Sequence, residues 1–67
     1  MTAEEFNAEH SVGVRVLYYP IMPPIDSAPP IETATRSEAW TLPGGHHVVL
    51  INGKSGGVRL SHVEVLP

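Results

Sequence analysis

Val12, Val14, Val16 and Tyr18 alternate with Gly13, Arg15, Leu17 and Tyr19, so the two sets fall on opposite faces of a β-strand that Pro20 closes. The alternation then stops. Residues 21–31 hold Pro23, Pro24, Pro29 and Pro30, which cannot donate ladder hydrogen bonds, and the segment reads as a long ordered loop after the first strand. Residues 31–42 predict a second strand, threonine-rich and ending in Trp40, Thr41 and Leu42. Neither of its faces is apolar: Glu32, Ala34, Arg36, Glu38, Trp40 and Leu42 alternate with Ile31, Thr33, Thr35, Ser37, Ala39 and Thr41. That is the pattern of an edge or bent strand, or of one with a bulge near Ser37. Pro43, Gly44 and Gly45 turn the chain into a β-branched third strand over 46–51. Asn52 and Gly53 are a strong turn dipeptide, and Lys54, Ser55, Gly56 and Gly57 lengthen that turn before a fourth strand over 58–60. Ser61 and His62 make a tight turn, and 63–66 form a fifth strand. Ahead of all this, Thr2 followed three residues on by Glu5 is a capping-box pattern, but Phe6 is the one large apolar residue behind it. Residues 1–11 therefore read as a flexible acidic arm pinned by Phe6, with 12–67 as the folded domain and no helix expected.

Composition narrows the class. Sixty-seven residues make one domain, and a chain this short buries only about 60% of the surface it exposes when unfolded. The absence of cysteine excludes disulfides and thiolate metal sites, which leaves self-association into a homo-oligomer as the available extra source of stability. A hydrophobic share of 42% with 16% charged residues is globular rather than disordered. No apolar run approaches the roughly 18 residues of a membrane span, and the acidic first ten residues lack the apolar core of a signal peptide. A cytoplasmic protein of a bacterium or its virus, without a membrane partner, is the expectation.

The net charge of −3 is uneven. Glu4, Glu5 and Glu9 lie in the arm, so the remainder sets Asp26, Glu32, Glu38 and Glu64 against Arg15, Arg36, Lys54 and Arg59. Scattered cations among as many acids make no basic stripe, which argues against duplex nucleic acid; a small anionic ligand needs only two or three of them.

Catalytic and metal chemistry find little support. His46 and His47 are neighbours on an expected strand and point to opposite faces, His10 is in the arm and His62 in the last turn, so no metal site is expected. The run from Asn52 to Gly57 superficially resembles a phosphate loop, but Val48 stands where that motif needs glycine, and Gly56 and Gly57 stand where it needs a helix. What survives is a glycine-rich turn whose backbone N–H groups can cradle an anion beside Lys54 and Arg59, against the alternative of a flexible hairpin tip. A triad of Ser61, His62 and Asp26 lacks a nucleophile elbow, and no catalytic residue or cofactor is assigned. Tyr18 and Tyr19 face opposite ways, so one lies outside the core. Tyr18 and Trp40 read as core; Tyr19, on the same face as Arg15, is the surface candidate.

Five short strands, a long loop after the first, and a tail of Gly56, Gly57, Val58, Arg59, Leu60, Ser61, His62, Val63, Glu64, Val65 and Leu66 resemble an SH3-like domain over residues 12–67. The resemblance implies an all-β fold, a five-stranded SH3-like small barrel with a proline-rich long loop after strand one. The whole chain also resembles short phage and prophage proteins. The tail is similar to that of the plasmid-borne type II dihydrofolate reductases, SH3-like chains of similar length in which four copies enclose a ligand-binding pore. Their pore-lining Gly-Ser-Val-Gln-Ile-Tyr segment matches Gly56, Gly57, Val58, Arg59, Leu60 and Ser61 here. Arg59 replaces the glutamine and Ser61 the tyrosine, so the reductase activity does not carry over, and what the resemblance implies is a site between subunits. In SH3 domains aromatics beside the long loop grip proline-rich peptides; here that loop holds only Asp26, with Glu32 at its end.

Two functions follow as expectations. One is a non-enzymatic homo-oligomer that holds a small anionic ligand, such as a host immune nucleotide signal, through Lys54, Ser55, Gly56, Gly57, Arg59, Arg15 and Tyr19. The other is a protein-interaction module of a virion, adaptor or inhibitor kind, docking a host protein through Tyr19, Trp40 and the proline loop.

Overall fold

A computed structural model describes residues 1–67 as mostly strands with little helix. The elements are α1 (Ala3–Glu9), β1 (Arg15–Tyr18), β2 (Ile31–Ala34), β3 (Trp40–Thr41), β4 (His47–Val49), β5 (Val58–Arg59), a 3₁₀ turn (Leu60–His62) and β6 (Val63–Val65). They build two antiparallel three-stranded sheets, ordered β2-β1-β6 and β3-β4-β5. No helix is long and apolar enough to cross a membrane.

The first sheet follows from the alternation in β1. Val16 and Tyr18 point into the core while Arg15 is exposed; Val16 lies opposite Thr33 on β2 and Val65 on β6. Val12, expected on the same inner face, is 55% exposed, because the chain turns at residues 12 and 13 before the strand begins.

The expected second strand is in fact two. It bends at Ser37, whose hydroxyl accepts from the Leu50 N–H at 3.2 Å and donates to the Glu38 carbonyl at 2.9 Å, and this separates β2 from β3. The two sheets meet at that bend. Thr35 bridges Ile51, the Arg36 N–H donates to the Leu50 carbonyl at 2.9 Å, and the Asn52 N–H donates to that of Ala34 at 3.0 Å. The 3₁₀ turn joins the sheets again, between β5 and β6. Val16, Val49 and Ile51 are wholly buried between the sheets, and the one buried polar side chain, Thr35, accepts from the Gly13 N–H at 3.0 Å.

Residues 3–9 are a docked helix, not the flexible arm that the scarcity of apolar residues suggests. Its capping box is complete, with Thr2 Oγ1 accepting from the Glu5 N–H at 3.1 Å and Glu5 Oε1 from the Thr2 N–H at 2.8 Å. A helix of one or two turns is marginal alone, so tertiary contacts must hold it. Ala3 and Phe6 are buried in the core cluster, the Asn7 amide pairs with both backbone groups of Ala39, and His47 Nδ1 accepts from the Ala3 N–H at 3.1 Å. The resulting surface of 4252 Å² is close to the ~4,100 Å² expected of a compact monomer of this mass.

The box gives this helix a pH dependence. Hydrogen bonds from the Thr2 backbone, then from its side chain, hold the Glu5 carboxyl below its ordinary value of 4.5. A depressed carboxylate contributes stability that is present above the unfolded-state pKa and lost as pH falls through the folded one. Glu5→Ala is therefore expected to lower the melting temperature at neutral pH, with the difference from wild type shrinking to nothing in acid. Thermal unfolding followed across pH checks this; a constant difference would detach it from the carboxylate's charge.

Candidate functional site

The β4–β5 connection is an ordered turn. The Lys54 N–H donates to the Ile51 carbonyl at 3.4 Å, and Gly53 takes the positive φ of 90° that the third turn position requires. Arg36 braces it from the neighbouring strand end, donating from Nε to the Ile51 carbonyl at 3.1 Å and from Nη2 to the Lys54 carbonyl at 2.8 Å. Beyond the brace, the Ser55 and Gly56 N–H groups have no partner within the chain.

This turn forms one wall of an open groove of about 420 Å³. Lys54, Ser55, Gly56, Gly57 and Arg59 line it, facing Tyr18, Pro20 and His62. No carboxylate is among the lining residues. Lys54 Nζ sits 5.5 Å from the centre of the Tyr18 ring, within cation–π range. His62 is oriented by its Nδ1, 2.9 Å from the Tyr19 carbonyl. A carbonyl can only accept, so this nitrogen carries a proton.

The four cations divide sharply. Arg15 is paired with Glu32, and the Arg36 guanidinium is committed to the two carbonyls of the turn. Arg59 makes no ion pair or side-chain hydrogen bond, and the Lys54 ammonium, over the Tyr18 ring, makes none either. The two cations whose charged groups neither an acid nor a carbonyl engages thus line the same groove. Arg15 and Tyr19 do not line it. The Tyr19 hydroxyl donates to Glu64 Oε1 at 2.7 Å; that bond, then burial and the carboxylate's charge, raise its pKa above the ordinary 10.0.

Trp40 is 38% exposed rather than core. Its ring covers Gly57: a Cβ at that position would stand 3.2 Å from Trp40 Cη2 and 3.3 Å from Val48 Cβ and Cγ2. Gly57→Val is expected to displace the indole and cost about 1–3 kcal/mol. Trp40 is the single tryptophan, so its emission spectrum and a urea titration read both effects; an unmoved spectrum would mean that the indole does not rest on Gly57.

The histidines have different surroundings. His10 packs its ring 5.0 Å from that of Phe6, His47 ties the helix start, His62 faces Tyr19, and His46 is exposed in the β3–β4 turn. Sequence reasoning did not place Tyr18, Pro20 or His62 at the turn, since only the pairing of β1 with β6 brings them there. The one available signal was that Tyr18 ends its strand, where a buried ring can still offer an edge to a cleft.

Comparison of the chain with protein-family models, with curated proteins and with solved structures finds no significant match.

Proposed function

We propose that this is a non-enzymatic binding protein that holds a small anionic ligand, of nucleotide size, in the groove beside the glycine-rich turn. The observation that carries the reading is the coincidence of Lys54 and Arg59, the two cations that no acid or carbonyl engages, on one groove without a carboxylate. The Ser55 hydroxyl and the free Ser55 and Gly56 N–H groups add neutral donors, and Tyr18 and Pro20 give the groove an apolar wall. A host immune nucleotide signal, sequestered by a phage-encoded protein in the cytoplasm, is the concrete form of this reading.

An SH3-like small barrel is the fold we assign. Strand order β2-β1-β6 and β3-β4-β5, the bend at Ser37, the contact of residues 34–36 with 50–52 and the 3₁₀ turn before β6 support it. The groove is open, so we place the bound ligand between subunits of a homo-oligomer. Eight large hydrophobic side chains are exposed, among them Ile21, Met22, Ile25 and Ile31 in and beside the proline loop, which supplies apolar surface for association.

The same exposed loop, with Trp40, favours a second reading, a protein-interaction module that docks a host protein. A native mass spectrum of freshly purified protein separates the two. An oligomer carrying additional small-molecule mass is expected; a bare monomer that gains no mass from added nucleotides would overturn the ligand reading in favour of the docking module.

A further inference from the structure

The groove shares Arg59 with a second concavity. Beside Arg59, this cleft of about 260 Å³ is lined by Met1, Gly45, His46, His47, Leu60 and Ser61, and again no carboxylate is among its residues. Its donors are unspent. The Ser61 hydroxyl and the His46 ring have no partner in the chain. His47 accepts at Nδ1 from the Ala3 N–H, with Thr41 Oγ1 3.0 Å from the same atom, so its ring proton resides on Nε2 as a further donor. No carboxylate lines the cleft, and hydroxyl, imidazole and guanidinium donors are the groups that bind a phosphoryl oxyanion.

Size decides between a separate site and a subsite. The cleft is below the roughly 300–1,000 Å³ of small-molecule sites, whereas cleft and groove together fall within that range. The two concavities have only Arg59 in common among their lining residues, so one phosphoryl group does not fill both. We infer that the two concavities are subsites for a single elongated ligand with two phosphoryl groups, a dinucleotide, that straddles Arg59. One nucleotide lies in the groove with its phosphate near Lys54, and the other phosphate lies against Ser61 and His46. This rests on the anionic-ligand reading of the groove, and adds the ligand class and the second half of the site.

Calorimetric titration of the full chain with adenosine monophosphate and with the linear dinucleotide pApA tests it. The dinucleotide is expected to bind about tenfold or more tightly than the mononucleotide, the gain from one more set of charge-assisted hydrogen bonds. The double variant His46→Ala, Ser61→Ala should reduce pApA to the level of the mononucleotide and leave the mononucleotide unchanged. Ser61→Asp, which places a negative charge in the cleft at little change of volume, should weaken pApA further. Lys54→Ala should weaken both probes. Wild-type affinity for pApA in the His46, Ser61 and Ser61→Asp variants, with Lys54→Ala still weakening it, would remove the second subsite and leave the groove reading standing. No binding of either probe to the wild type would remove the groove reading and this inference together.

Discussion

Phe6→Ala is expected to leave the protein largely unfolded, or folded with a melting temperature close to ambient. The ring is 3% exposed and lies in the core cluster, although it belongs to the first turns of the chain. Removing a buried phenylalanine ring costs about 3–5 kcal/mol, through the lost transfer energy and the cavity that remains. A domain of 67 residues has roughly 3–10 kcal/mol in total at ordinary stability per residue. The helix has no second large apolar anchor, so the cavity cannot be filled by a small rotation of α1. Urea unfolding by circular dichroism measures the effect. A variant as stable as wild type would return residues 1–11 to the status of an arm and make the contacts of Asn7 and Ala3 incidental.

Arg59→Ala should have the opposite profile: an intact fold and lost ligand affinity. The side chain is exposed and makes no ion pair or hydrogen bond within the protein, so its removal is expected to change stability by no more than about 0.5 kcal/mol. In the complex it would face phosphate oxygens. A charge-assisted hydrogen bond contributes about 1.5–3 kcal/mol, which corresponds to a fall in nucleotide affinity of roughly 10- to 150-fold. Titration of wild type and variant with pApA reads it, and the wild-type affinity should fall as salt is raised, because both cations are solvent-accessible. Equal affinity in the two proteins would exclude the groove as drawn. Under the docking-module reading Arg59→Ala changes little, whereas Tyr19→Ala or Trp40→Ala weakens capture of the partner.

What the chain revealed before folding depended on how local the cause was. The strict alternation of β1 is local, and Val16 and Tyr18 face inward as it requires. The ambivalence of residues 31–42 had a physical origin: the segment turns at Ser37 from one sheet to the other, so no single face stays with the core. The helix was harder. Thr2 and Glu5 announced its start, but what holds it is Ala39, His47 and the core beneath Phe6, all distant in sequence. At the groove, Lys54 to Arg59 could be read as a unit because they are contiguous. Which cations stay unpaired could not, since Arg15 meets Glu32 and Arg36 meets Ile51 and Lys54 only after the strands pair.

The pairing of Asn7 with Ala39 has a consequence for dynamics. The side-chain amide receives the Ala39 N–H at 2.8 Å and donates to the Ala39 carbonyl at 2.9 Å, occupying the place of a neighbouring strand. Protection of that one amide from solvent hydrogen exchange therefore belongs to the helix and not to the sheet that follows it. Each time α1 lifts, Ala39 should exchange while Val48 and Val49 stay protected, so a single backbone proton reports the opening equilibrium of the N-terminal segment.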